Sequence, residues 1–156
     1  YTLAANQGKV KAQYNLGVIY YEGRAVPQDY EAAVRWYTLA AKQGDAMAQF
    51  NLASMYEDGH GVSQDDREAI KFYTLAARQG YATAQSNLGL MHYNGQGVLA
   101  DPVIAHMWFN IAAANGAESA GANRDIIAKE MTSEDISKAE AMATVCMNSN
   151  YEKCGY

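Results

Sequence analysis

One segment of this chain returns at a fixed step. Trp36-Tyr37-Thr38-Leu39-Ala40-Ala41-Lys42-Gln43-Gly44 comes back as Phe72-Tyr73-Thr74-Leu75-Ala76-Ala77-Arg78-Gln79-Gly80, and a shortened copy, Tyr1-Thr2-Leu3-Ala4-Ala5-Asn6-Gln7-Gly8, opens the chain. Trp108-Phe109-Asn110-Ile111-Ala112-Ala113-Ala114-Asn115-Gly116 is a worn fourth copy. The closing glycines stand at 8, 44, 80 and 116, a step of 36 residues each time. A period of that length marks stacked repeats. A unit so small cannot bury its apolar face alone, so each must lie against a neighbour and the chain grows as a stack.

Between the glycines, the spacing of apolar residues predicts two helices per unit. Helix A is expected at about 30–43 and 66–79, and helix B at about 9–22, 45–57 and 81–93, with a loop of six to eight residues leading to the next unit. In the second copy Ala33, Trp36, Tyr37, Ala40 and Ala41 fall on one broad stripe of helix A, and Arg35, Thr38 and Lys42 fall opposite. Ala48, Leu52 and Tyr56 form the stripe of helix B. The alanines let two helices approach closely, and the aromatics fill the gaps between units.

The boundaries carry their own chemistry. Asp29, Asp65 and Asp101 precede each helix A, where a carboxylate accepts from the free N–H groups of the first turn. Glu68, three residues after Asp65, predicts a capping box, and Pro102 suits a first helical position. Gly44, Gly80 and Gly116 stand where a left-handed C-cap is needed, as do Gly59 and Gly95 after helix B. The loops Gly23-Arg24-Ala25-Val26, Gly59-His60-Gly61-Val62 and Gly95-Gln96-Gly97-Val98 call for positive φ, with valine filling the space beneath. Ala25 carries strain if it takes the conformation of Gly61. No strand precedes these glycines and no third glycine opens a helix, so they do not form a phosphate cradle. Asn15, Asn51 and Asn87 recur inside helix B and are expected to hydrogen-bond a neighbouring loop.

From about Glu118 the repeat decays. Asn123 keeps its place, but Arg124 and Asp125 replace leucine and glycine, as a terminal unit facing water requires. Thr132-Ser133-Glu134-Asp135 can start one more helix, roughly 134–147, whose apolar side is Ile136, Ala139, Ala143 and Cys146 and which would cover the open end of the stack. The tail from Asn148, with Tyr151, Cys154 and Tyr156, reads as irregular. The divisions are a partial unit at 1–29, units at 30–65 and 66–101, a degenerate unit at 102–131, and a capping helix with tail at 132–156. The fold class is all-α, built from two-helix units.

Composition excludes several functions. A net charge of −5 argues against a general nucleic-acid binder, and no apolar run is long enough to insert into a membrane. The chain opens inside a helix, so we read its natural start as missing and draw no targeting signal from it. His60, His92 and His106 lack the spacing of a zinc hydrolase, and Ser54, Ser63 and Ser86 lack a nucleophile-elbow context, so neither a metal nor a cofactor nor a catalytic residue is expected. His92 takes the place of Tyr20 and Tyr56, and His106 that of Val34 and Ile70, which makes both core substitutes. Cys146 and Cys154 leave two readings. They form a structural disulfide pinning the tail to the last helix, or they are free thiols of a cytoplasmic protein.

The strings Trp-Tyr-x-x-Ala-Ala-x-Gln-Gly, Ala-x-Ala-Gln-x-Asn-Leu-Gly-x-x-Tyr and Gly-x-Gly-Val-x-Gln-Asp resemble the Sel-one-like repeat family, relatives of the tetratricopeptide repeat, over about residues 1–125. That resemblance implies a right-handed α/α solenoid and an adaptor that gathers protein or peptide partners, without common catalytic residues. The tail around Cys146 and Cys154 is similar to that of exported bacterial members, which implies a periplasmic or secreted protein. A cysteine-rich branch is associated with β-lactam binding or hydrolysis, but its members carry a cysteine pair in each repeat, whereas the cysteines here lie only at the end. A structural spacer within a larger chain is the remaining alternative.

In tetratricopeptide-like stacks helix A lines the inner side. Its non-core face here carries Arg35, Thr38 and Lys42, then Lys71, Thr74 and Arg78, then Met107, Asn110 and Ala114. This strip is the expected partner surface, basic enough to hold an acidic segment or a C-terminal carboxylate. The bland reading is a solvated face with pairs such as Glu31–Arg35. Tyr14 and Phe50, with Val18 and Leu90 nearby, form a rival surface on the outer side of helix B. The chain is expected to be a monomer or a weak oligomer.

Overall fold

The computed structural model describes residues 2–154 and divides into two compact units, one ending at Phe72 and the other beginning at Tyr73. Tyr1, Gly155 and Tyr156 lie outside the described residues. Every regular element among the described residues is a helix: α1 (Thr2–Asn6), α2 (Val10–Glu22), α3 (Tyr30–Lys42), α4 (Ala46–Asp58), α5 (Asp66–Ala77), α6 (Ala82–Asn94), α7 (Pro102–Ala114), α8 (Ala120–Ala128) and α9 (Ser133–Asn148). These boundaries fall within two residues of those expected for the repeat helices, because the punctuation is local. The carboxylates of Asp29, Asp65 and Asp101 accept from first-turn N–H groups at 2.8–3.2 Å. Asp45, in the same role for α4, accepts from Ala48 N–H at 2.8 Å.

One cap differs from expectation. A capping box needs Glu68 to accept from the N–H of Asp65. That N–H is already given to the carbonyl of Tyr56 at 2.9 Å, and Glu68 instead pairs with Lys71 at 3.2 Å. The same bond recurs from Asp29 to the Tyr20 carbonyl and from Asp101 to the His92 carbonyl, so each linking loop is clipped to the helix before it. Within these loops Ala25 takes φ +62°, close to the +70° of Gly61. Gly61 is further constrained, since a Cβ there would stand 2.5 Å from the Tyr30 carbonyl oxygen.

In the first unit α2 packs on α1 and α3, and α3 on α4. Its centre is Ala33, Tyr37, Ala40, Ala48, Leu52 and Met55, all essentially buried, with Val62 and several tyrosines packed around them. In the second unit α7 packs against α6, α8 and α9. Ala105, Phe109, Ala112, Ala120 and Ile127 fill the space between them. Small residues permit these approaches: a Cβ on Gly17 would lie 2.4 Å from the Tyr37 ring, and one on Gly89 2.7 Å from the Phe109 ring.

A buried glutamine closes each turn between helices. Gln13, Gln49 and Gln85 donate their side-chain amides to the carbonyls of Ala5, Ala41 and Ala77 at 3.1, 3.2 and 2.9 Å. Carbonyls in the last turn of a helix lack an intrahelical partner, and the glutamine of the following helix supplies a second donor. The side-chain oxygens of Gln13 and Gln85 accept in turn from Gln43 and Asn115 at 2.7 and 2.8 Å.

Candidate functional site

The expected partner strip divides between the two units. In the first, Arg35 and Lys42 of α3 are exposed and Thr38 is half-buried. Among the described residues Arg35 has no ion pair with Glu31, while Lys71 pairs with Glu68 and lies 5.7 Å from the centre of the Phe72 ring. In the second unit Arg78 is exposed and Thr74 half-buried. Met107 departs from the expectation. It is 0 % exposed, because α7 is covered by α9 and the position that carries Arg35 and Lys71 in earlier copies becomes core. Asn110 is half-buried, and its side-chain oxygen accepts from Arg124 at 3.2 Å.

The rival surface has a shape that the repeat pattern did not show. Tyr14 and Val18 of α2, Tyr37 of α3 and Phe50 of α4 are walls of a cleft of about 330 Å³, completed by Tyr21, Glu22, Asn51 and Ser54. The rings of Tyr14 and Tyr37 stand 5.9 Å apart at 41°. Asn51 of α4 lines the same cleft as Tyr37, beside its phenol. Burial holds the Tyr37 phenol well above its ordinary pKa, against a smaller opposing pull from the Asn51 side chain. The Tyr21 phenol is also raised, by burial first and then by Tyr30 and Asp58. At the rim Glu22 pairs with Arg24, and the Ser54 hydroxyl donates to Asp58 at 3.2 Å.

Polar and apolar hollows also mark the second unit. One of about 480 Å³ is lined by Ser86, Asn87 and Leu90 of α6, the loop residues 116–119, and Asn123 of α8. On α9, Ala141, Met142 and Val145 form a shallow apolar hollow between Lys138 and Lys153.

Cys146 and Cys154 are joined in a disulfide with their Cα atoms 4.4 Å apart, and both are buried. The enclosed turn puts Asn150 and Tyr151 at φ +52° and +65° and brings the Tyr151 hydroxyl to 2.9 Å from the Asn115 amide nitrogen. The tail is thereby joined to the chain of bonds running through Gln85 to Ala77.

His92 and His106 are buried, and burial lowers the pKa of both; Arg124 lowers that of His106 further. His60 stacks on Tyr30 at 4.7 Å and 8°. Among the described residues no three His, Cys, Asp or Glu side chains come together as a metal site, and no helix is long and apolar enough to cross a membrane.

The repeat can now be placed among known proteins. The Sel1 repeat pattern matches residues 10–45, 46–81 and 82–116, so its units open on α2, α4 and α6; the period agrees with the one read from the sequence, and the phase is shifted. A crystal structure of a protective antigen present in uropathogenic Escherichia coli strains, displaying an SLR fold, superposes with a TM-score of 0.87 at 35 % identity, over 97 % of this chain and 33 % of that one. A Sel1 repeat protein from Oxalobacter formigenes gives 0.73 at 38 % identity, over 77 % of this chain and 48 % of that one. The chain therefore spans a third to a half of the structures it matches. No functionally curated protein matches it. With three matched repeats, an all-helical fold of two-helix units and structural neighbours of the same solenoid class, the chain belongs to the Sel1 repeat family.

Proposed function

We propose that this chain is a protein-interaction adaptor whose first unit holds a segment of a partner protein in the cleft walled by Tyr14, Tyr37 and Phe50. Sel1 repeat proteins are commonly interaction scaffolds. The observation that carries the specific reading is the cleft itself: four aromatic rings around about 330 Å³, with the Asn51 amide and the Ser54 hydroxyl among them. Rigid aromatic walls with a few directional polar groups are what a docked side chain needs. The cleft also lies on α2 and α4, the opening helices of two matched units. The disulfide supports work in an oxidising compartment, periplasmic or secreted.

A photo-crosslinking residue placed at Ser54, and separately at Arg35, in the envelope fraction of the source cell tests this. We expect a discrete adduct from Ser54 that disappears in a Phe50→Ala background. An adduct from Arg35 alone would move the partner surface to the strip on α3. That strip is the second reading, favoured by the exposure of Arg35 and Lys42, and it would hold an acidic segment.

A further inference from the structure

We infer that the cleft of the first unit is a receptor for a basic side chain, arginine before lysine, presented by an extended segment of the partner. This rests on the cleft being the partner site and goes on to name the chemistry that it selects.

Three observations converge. First, the walls are aromatic. Tyr14, Tyr21, Tyr37 and Phe50 line the cleft, and a ring face attracts a cation within about 6 Å of its centre. The raised phenols of Tyr21 and Tyr37 stay protonated at physiological pH, so they supply ring faces and hydroxyls without fixed charge. Second, the charge on the cleft wall itself is negative. Glu22 is a lining residue, and Asp58 is bonded to the lining Ser54 and lies near enough to Tyr21 to raise its pKa. No Lys, Arg or His is among the lining residues.

Third, the cation that Glu22 already holds is easily displaced. The Arg24 side chain is 73 % exposed, and an ion pair so open to water is worth little. A guanidinium entering the cleft can take over that carboxylate with two parallel bonds while lying flat on a ring, a combination that an ammonium cannot match. An acidic side chain would meet Glu22 and Asp58 with like charge. An aliphatic one would cover Glu22 and leave it poorly hydrated without a new partner.

The test is selection of a random peptide library on the full chain, followed by affinity measurements on the enriched peptides against four proteins: wild type, Phe50→Ala, Ser54→Arg, and the pair Glu22→Gln with Asp58→Asn. We expect enriched peptides to share one arginine or lysine. Replacing that residue by leucine should weaken binding about tenfold, the scale of one partly desolvated cation–π and carboxylate contact. The double variant should lose a similar factor, and added salt should weaken wild-type binding. Ser54→Arg, which puts a tethered guanidinium on the wall, should block the peptides even if Phe50→Ala perturbs folding. Peptides that lack a shared basic residue yet are lost in Phe50→Ala and Ser54→Arg would overturn the charge selectivity and leave the cleft as the partner site. Peptides indifferent to both variants, or no enrichment, would overturn both.

Discussion

Replacing Gly89 by alanine tests how closely α6 and α7 are packed. In an isolated helix the change stabilises by about 1 kcal/mol, because glycine gives up more backbone freedom on folding. Here the new methyl would stand 2.7, 2.8 and 3.0 Å from three atoms of the Phe109 ring. Carbon atoms in contact prefer about 3.5–4.0 Å, so three contacts are short by most of an ångström. The ring is 1 % exposed and packed with Ala105, Ala112, Ala120 and Ile127, and it borders a hollow of about 80 Å³ into which it can shift only in part. Overpacking of this kind costs about 1–3 kcal/mol, which cancels or outweighs the helix gain and leaves Gly89→Ala destabilised by about 0–2 kcal/mol. The internal control is Gly121 of α8, where the nearest atom to a built Cβ is 4.0 Å away. Gly121→Ala should stabilise by about 0.5–1 kcal/mol. Urea midpoints at constant slope read both, and melting temperatures should move by about 2–4 °C per kcal/mol in a chain of this size. In a Phe109→Leu background the penalty at Gly89 should shrink, as a coupled pair requires. If Gly89→Ala raised stability as Gly121→Ala does, the close approach of the two helices would be refuted.

Other expectations follow from single features. Reducing the Cys146–Cys154 bond should lower stability by about 2–3 kcal/mol, the scale for so short a loop, and free Tyr151 from Asn115; thermal melts with and without reductant check the first and tyrosine side-chain NMR the second. Ala25→Gly should raise stability by up to about 1 kcal/mol, read as a higher urea midpoint at constant slope, since alanine at φ +62° is strained and glycine is not. His92 and His106 have folded-state pKa values below the ordinary histidine value, so the unfolded chain binds more protons and stability falls as pH drops from about 7 toward 5. Asp101 opposes the shift at His92, as Glu140 and Asp125 do at His106. Replacing His92 by tyrosine and His106 by valine, the residues of other copies, should flatten that slope in pH-dependent urea titrations. Adaptor function also predicts no nitrocefin turnover by pure protein above buffer, and clear turnover would favour the β-lactam reading.

What could be read in advance was whatever depends on neighbours a few residues away. The period set the number and order of helices. Aspartates before helices and glycines after them set the ends, because a carboxylate reaches N–H groups within its own first turn and a left-handed residue is needed where the helix stops. The capping box at Glu68 was misread for the complementary reason: the N–H it required had been taken by Tyr56, on the preceding helix. The buried glutamines at 13, 49 and 85 did carry a signal, since they recur at the step of the repeat, but their partners are carbonyls of another helix and no spacing rule names them.

For the site, sequence alone determined the candidate rows of residues, one along α3, α5 and α7 and another along α2, α4 and α6, because a helix displays a fixed face at a fixed spacing. Only tertiary structure decided what each row meets. Met107 occupies the position of Arg35 and Lys71 yet is core, because α9 lies on α7 and removes that face from water. Tyr14 and Phe50 became walls of a cleft because α2 and α4 meet on either side of Tyr37, with Gly17 small enough to admit its ring. Exposure belongs to the packing of helices far apart in the chain, whereas the pattern on each helix belongs to the helix itself.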